Sequence, residues 1–317
     1  MDRHLLDSPP ERPAPWQAWL QTAERRQVRG ADGVMLSCWM TGRREARPVI
    51  LTSGIGCGPV FMCKVASELA RDHRVVYWDY RGHGTSERAP AEGGYRIRDH
   101  ARDLDFVVSA FAASERPLMV GFSMGVQVSI EWTQLRPARA LGHVYLLGLP
   151  RNPMYRTVVL RGRAARLTEG FAHGAAPLLH LLGPATRAAV RTPFTYLLAR
   201  SLGVVRPGCS RAAFSDFVRY ASAIPLDVYL QCAAGLLEHD ASEAFGRIRE
   251  PVLMLAGEHD VLIDPEECRS FAARLPNAHF ELLCAAGHAG SLEYGTYLAK
   301  RVRAFVQALA KAETCAA

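Results

Sequence analysis

Short apolar runs that stop at a glycine and pass into amphipathic stretches recur through the first 150 residues and again after residue 250. That alternation restricts the fold of the 317-residue chain more than any other feature. Pro48-Val49-Ile50-Leu51-Thr52 ends at Ser53-Gly54-Ile55-Gly56, and a helical pattern follows from Val60 to Arg71. The pattern repeats with strands at His73 to Asp79, Pro117 to Phe122 and Gly142 to Gly148, separated by helices at Ile97 to Ala113 and Val126 to Arg136. It resumes with a strand at Pro251 to Ala256, a helix at Pro265 to Leu275, a strand at His279 to Cys284 and a helix at Leu292 to Lys311. Continuous apolar runs of four to eight residues suit strands buried on both faces. Two further strands, Arg26 to Arg29 and Val34 to Met40, flank the turn Ala31-Asp32-Gly33, after a helix at Trp16 to Arg25. The fold class expected is α/β, with a doubly wound, mostly parallel sheet of about eight strands.

The alternation breaks between Arg151 and about residue 248, where Ala-, Leu- and Arg-rich helical segments are interrupted by Gly174, Gly183-Pro184, Pro193, Gly203 and Pro207-Gly208. A helical cap inserted after the sixth strand is the expectation, with 1–150 and 249–317 forming the core domain and 151–248 the cap. At 49% hydrophobic and 22% charged residues, the composition provides a sizeable core and excludes a disordered chain. All but three of the 38 basic side chains are arginine, so the net charge of +7 says little about partners by itself. Its placement says more. Arg151, Arg156, Arg161, Arg163, Arg166, Arg187, Arg191, Arg200, Arg206 and Arg211 face a single acid, Glu169, an excess of +9. Three readings stand: a solvated helical face, attraction of an anionic or carrier-linked acyl substrate, or contact with an acidic membrane surface. No nucleic-acid motif accompanies the charge.

The first residues lack the continuous apolar stretch of a secretory signal, and no run of about 20 apolar residues follows. The eight cysteines show no paired or metal-ligand spacing, and several sit in apolar runs as buried thiols would. A cytoplasmic location is the expectation.

Gly121-Phe122-Ser123-Met124-Gly125 matches G-x-S-x-G. The pentapeptide alone is a weak signal, but here it follows the strand Leu118-Met119-Val120 and opens an amphipathic helix. That is the setting in which flanking glycines permit a strained turn projecting a nucleophilic serine. A serine hydroxyl needs a base. His288, in Ala286-Gly287-His288-Ala289-Gly290, directly follows the last strand. The acid orienting it should lie between serine and histidine in the chain, and Asp260 does, in Gly257-Glu258-His259-Asp260 after the seventh strand; Asp264 and Asp240 are the fallback acids. His259 is read as flanking the site. An oxyanion needs two N–H donors. Met124, after the serine, is one, and the turn after the third strand provides the other, Ile55 or alternatively Gly56. Cys57 follows that turn, but no histidine is set to activate it as a thiolate.

From about residue 26 to 312 the chain resembles a capped α/β-hydrolase (an esterase-, lipase- or thioesterase-like serine hydrolase). Asp79-Tyr80-Arg81-Gly82-His83-Gly84-Thr85-Ser86 resembles the D-x-R-G-x-G-x-S turn that many such enzymes carry after the fourth strand. The resemblance implies that this turn is structural, and it supports Ser123, Asp260 and His288 as elbow serine, acid and base. Two departures stand out. Ser53-Gly54 replaces the usual His-Gly of the oxyanion turn, and Val126 replaces the small residue that commonly follows the elbow. Serine at position 123 excludes the aspartate nucleophile of the family's dehalogenases and epoxide hydrolases.

The function expected is a hydrolase with no cofactor and no metal. It would cleave a small-molecule carboxylic ester, lactone or thioester with an apolar acyl part through an acyl-enzyme. The alternatives are a C–C bond hydrolase or perhydrolase-like enzyme using the same three residues, and a ligand-binding protein with little turnover.

Overall fold

A computed structural model describes residues 15–90, 94–152 and 191–316 of the chain. Eight strands form one sheet: β1 (Glu24–Arg29), β2 (Met35–Gly42), β3 (Pro48–Thr52), β4 (Arg74–Trp78), β5 (Leu118–Phe122), β6 (Gly142–Leu146), β7 (Val252–Gly257) and β8 (Ala278–Leu283). Their order is β1-β2-β4-β3-β5-β6-β7-β8. β2 pairs antiparallel with both β1 and β4, and every other pairing is parallel. Every residue of β3, β5, β6 and β7 is buried, whereas β1, at the edge, buries only Val28. This is the expected signature of strands covered on both faces: a continuous apolar run inside, and that run lost at the edge.

Successive residues of one strand serve opposite layers. Val49 and Leu51 face a core shared with α1 (Pro15–Thr22) and α2 (Cys63–Leu69), while Ile50 joins Leu104, Val107 and Phe111 of α3 (Ile97–Ala112). α4 (Met124–Leu135) straddles two clusters, with Val128 and Trp132 in one and Val126 and Ile130 in the other. Elements begin or end within a few residues of the sequence-based bounds, with one difference of kind. The C-terminal helix is two pieces broken at Tyr294, α10 (Gly290–Glu293) and α11 (Gly295–Ala316), because Tyr294 adopts φ −126° and ψ 25°.

After β6 the described chain runs to Asn152 and resumes at Arg191. It then forms α5 (Pro193–Ser201), α6 (Arg211–Ala221), α7 (Leu226–Glu238) and α8 (Ser242–Phe245) before re-entering the sheet; α9 (Pro265–Ala272) follows β7. Both ends of this excursion lie side by side: Asn152 N–H donates to His239 O at 3.1 Å and Ala241 N–H to Pro150 O at 2.8 Å. α8 belongs to the sheet's own core, with Phe245 fully buried between Tyr145 and Phe271. Arg156, Arg161, Arg163, Arg166 and Arg187, and the Glu169 that opposes them, lie outside the described residues. Among the described residues no helix is long and apolar enough to cross a membrane. The seven cysteines whose side chains are described are free thiols.

Candidate active site

Ser123 stands between the end of β5 and the first residue of α4 with φ 52° and ψ −118°. A non-glycine residue held there stores on the order of 1–3 kcal/mol of strain and persists only where its surroundings overdetermine it. Ser123 N–H donates to Leu146 O at 3.0 Å, and Ser123 O accepts from Val126 N–H at 3.0 Å. The flanking glycines act differently from the sequence-based expectation: neither has a positive φ, and the strain sits on the serine. Their role is close approach. A Cβ on Gly125 would lie 2.1 Å from Thr52 O, and one on Gly121 would lie 2.6 Å from Gly125 O. Val126 is fitted in the same way, since a Cβ on Gly148 would lie 2.5 Å from its Cγ2.

The missing Cβ atoms let α4 start against the end of β3 and so bring residues 53–56 to the serine. Ser53 Oγ donates to Cys57 O and Tyr80 Oη to Ser53 O, each at 2.6 Å, closing a turn in which histidine is absent. His83 holds it from the other side. Gly56 N–H points at His83 Nε2 at 3.4 Å, while His83 Nδ1 lies 3.2 Å from Arg81 O. Burial pushes His83 down to about 4, so the neutral ring donates through Nδ1 and accepts through Nε2. Gly56 N–H is thereby committed, which leaves Ile55 as the candidate donor of this turn. Met124 opens α4, so its N–H has no intrahelical acceptor. Cys57 lies nearby, but burial drives its thiol far above the ordinary range, against thiolate chemistry.

The loops after β7 and β8 are laced to one another. His259 N–H donates to Ala286 O at 2.9 Å, Glu258 N–H to Leu283 O at 3.1 Å, and Ala285 N–H to Glu258 Oε2 at 2.9 Å. Asp260 Oδ1 accepts from Leu262 and Ile263 N–H at 2.9 Å each, which leaves Oδ2 facing His288 Nδ1 at 2.8 Å. His288 Nε2 lies 3.1 Å from Ser123 Oγ. The sheet thus brings Ser123, His288 and Asp260 into one chain of hydrogen bonds. The fallback acids are engaged elsewhere, Asp264 accepting from Glu266 N–H at 2.9 Å and Asp240 from Ser242 N–H at 2.8 Å. His259 is exposed, with Glu258 as its acidic neighbour at 3.8 Å.

Arg81 is fully enclosed and pairs with Asp103 through Nε at 2.7 Å and Nη2 at 2.8 Å. Asp79 is buried and accepts from Tyr77 and Tyr220 hydroxyls at 3.0 and 2.7 Å; its carboxyl is pushed up to about 6 by burial. Both therefore brace the turn around His83.

Two contributors were not anticipated from sequence. Tyr220, on α6, ties the insertion to Asp79. Glu293 accepts from Gly287 N–H at 2.8 Å and from Arg206 N–H at 2.7 Å, fastening the loop of His288 to the insertion. Burial raises its carboxyl and the two N–H donors oppose that. The available signal was a carboxylate within the apolar stretch right after the histidine.

A cavity of about 370 Å³ opens over Ser123 and His288. Ile55, Cys57, Phe61, Leu262, Ile263 and Leu292 line it from the core, and Val204, Val205, Phe214, Phe217, Tyr229, Ala233, Leu236 and Leu237 from the insertion.

Residues 47–293 match the model of the alpha/beta hydrolase fold family. The chain is 26% identical over 257 residues to a Stutzerimonas stutzeri protein named "Putative carbamate hydrolase RutD", spanning 79% of this chain and 89% of that one. Among solved structures it resembles an esterase from Thermogutta terrifontis (TM-score 0.69, 20% identity, 90% of this chain and 99% of that one). It also resembles an enol-lactonase from Burkholderia xenovorans (TM-score 0.66, 21% identity, 89% and 100%). At those identities the two structures speak for the fold. A sheet of this order, an elbow of this geometry and a family match over most of the chain lead to one conclusion: the chain belongs to the alpha/beta hydrolase fold family and is a hydrolase.

Proposed function

We propose that the protein is a serine hydrolase that cleaves a carboxylic ester, lactone or thioester with an apolar acyl group. The observation that carries this reading is the continuous relay Ser123 Oγ–His288 Nε2 at 3.1 Å and His288 Nδ1–Asp260 Oδ2 at 2.8 Å, placed under an apolar cavity. Asp260 fixes the tautomer that leaves Nε2 able to accept a proton. Ser123 Oγ passes its proton to Nε2 as it bonds to the carbonyl carbon, and the carbonyl oxygen gains the charge. The N–H groups of Ile55 and Met124 stabilise that oxyanion. The imidazolium then gives its proton to the departing alcohol or thiol as the carbon–heteroatom bond breaks, leaving an acyl-serine. Water repeats the sequence, losing its proton to His288, and Ser123 is released.

The insertion, which we take as residues 151 to about 239 rather than to 248, roofs this site and shapes the acyl pocket. Its apolar lining favours a hydrocarbon acyl group over a small, polar carbamate, the substrate class named for the Stutzerimonas relative. A fluorophosphonate probe should label the protein once, at Ser123, and Ser123→Ala should remove labelling without unfolding the chain. Asp260→Asn should lower kcat by about 10³–10⁴-fold on p-nitrophenyl esters. Labelling that survives Ser123→Ala, or near-normal turnover in Asp260→Asn, overturns the assignment. Absence of ester turnover with labelling intact returns the C–C hydrolase and ligand-binding alternatives.

A further inference from the structure

α5 carries its large apolar side chains on the outside. Phe194, Leu197, Leu198 and Leu202 are 68%, 52%, 45% and 62% exposed. Their spacing of three and four residues puts all four on one face. The opposite face is already occupied: Tyr196 is buried, donates its hydroxyl to Cys209 O at 2.8 Å and packs edge-on against Phe214. The outward ridge therefore has no partner in the described core. It also lies next to the site. A Cβ on Gly203 would stand 3.2 Å from Val261 Cγ1; Val261 is itself 49% exposed and adjoins Asp260, and the next two residues, Val204 and Val205, line the cavity.

Charge selects what can cover this ridge. Residues 191–211 contain Arg191, Arg200, Arg206 and Arg211 and no Asp or Glu. A second copy packed ridge to ridge would oppose like charges. Residues 153–190 bear five arginines and one glutamate and have the same sign. The complement is a surface that is apolar within and anionic at its rim. We propose that the outer face of α5, with Val261, docks on an anionic lipid–water interface. The leucines and Phe194 sink among the acyl chains and the exposed Arg191 and Arg200, at the two ends of α5, lie at the headgroups. Docking there brings the mouth of the cavity to the lipid surface. The proposal concerns attachment and does not depend on which bond the enzyme cleaves.

The test is co-sedimentation of the full chain carrying Ser123→Ala with vesicles of phosphatidylcholine alone or of equimolar phosphatidylcholine and phosphatidylglycerol. Binding to the mixed vesicles should exceed binding to the neutral ones by about tenfold or more and weaken with salt. Leu197→Ser with Leu202→Ser should cut it about tenfold or more, and Arg191→Gln with Arg200→Gln about fivefold per charge. Unchanged thermal unfolding in both double variants shows that the fold is intact. In the Ser123 background, unchanged labelling by the fluorophosphonate shows the same of the site. Equal and salt-independent binding to both vesicles, or binding indifferent to the leucine pair, overturns the proposal. So does self-association that the leucine pair abolishes, or retention on poly-glutamate without vesicle binding.

Discussion

The sheet and the insertion are built from the same residue types, yet they differ in how tightly sequence commits them to one arrangement. In the sheet, backbone contacts leave no alternative. Gly125 is held by Thr52 O and Gly257 by Ala286 O, at distances where any side chain would collide, and the strands around them are closed on both faces. In the insertion α7 meets backbone at Gly235, where a Cβ would lie 3.0 Å from Arg96 Cα, but α5 and α6 rest on side chains, divided between buried and exposed roles that look alike in sequence. Tyr196 is buried while its neighbours Leu197 and Leu198 are exposed. Close backbone packing specifies geometry to tenths of an ångström, whereas leucine-rich helical faces specify only that something apolar is met. The hydrogen-bonded chain of Ser123, His288 and Asp260 therefore rests on the ends of the strands, and the cavity above it is completed by the insertion.

Charged pairs give the sharpest test of that contrast. Arg81 and Asp103 are both fully buried in the core half, whereas Arg219, on α6, is 59% exposed where it meets Asp216, which is 11% exposed and also accepts from Trp16 Nε1 at 2.9 Å. Arg81→Ala leaves Asp103 charged and enclosed and should cost about 3–5 kcal/mol in urea unfolding. Arg219→Ala should cost less than about 1 kcal/mol. Comparable losses would show that the insertion is as tightly specified as the sheet.

The same contrast explains what was legible before the structure. Ser123, Asp260 and His288, which the structure joins by hydrogen bonds, could be singled out as candidates because each follows a strand whose apolar run is visible locally, and the elbow adds its own pentapeptide. Tyr220 could not, because its bond to Asp79 joins residues 141 positions apart on two elements with no shared pattern. Glu293 was hidden for a related reason: its two backbone donors, Gly287 and Arg206, come from different loops. Gly295, directly after Tyr294, was the available signal for the break there, and the apolar period running on from Leu292 through Leu298 masked it. The outward ridge of α5 has the spacing of a buried face, and periodicity cannot tell which side a helix presents to its neighbour.

Acid should act on the core half. Burial lowers His83 to about 4 from 6.5, and lowers His143 and His100 as well. Each is neutral in the folded state, so its stabilising contribution is complete above pH 6.5. As pH falls, the unfolded chain binds protons that the fold refuses, and that contribution is lost down to the folded pKa. For His83 the loss reaches about 3 kcal/mol by pH 4. Asp79, raised to about 6, opposes it, because its contribution is present below 3.8 and fades as pH rises through 6. Asp103 and Glu293, also raised by burial, oppose it in the same way. His73, lowered by burial, and Glu131 and Glu281, lowered by their charged partners, add to the loss in acid. The groups that lose stability in acid are the more numerous, so the unfolding free energy should drop as pH falls from 7 to about 4.5. Among the described residues neither ring nitrogen of His143 has a hydrogen-bond partner, and the ring stacks on Tyr145 at 5.5 Å. His143→Phe should therefore flatten part of the decline, as read by urea unfolding across pH. An unchanged slope would remove His143 from the account.

The smallest effect is the one that most directly separates the two regions by function. Leu236 and Ala233 lie one turn apart on α7, on the wall of the cavity and outside the chain of hydrogen bonds at Ser123. If the sheet performs the chemistry and the insertion measures the acyl group, enlarging this wall should change selectivity without touching the relay. Leu236→Trp fills space where a longer acyl chain would lie, and one methylene in an apolar pocket is worth about 1–3 kcal/mol. The variant should therefore lower kcat/KM about tenfold or more for octanoyl esters while leaving the acetyl ester within about twofold, a shift carried mainly by KM. A uniform fall in kcat across chain lengths would mean that the wall also positions Ser123 or His288, and the division of labour between sheet and insertion would fail. An unchanged chain-length profile would place the acyl group against the core side of the cavity, along Phe61 and Leu292, instead.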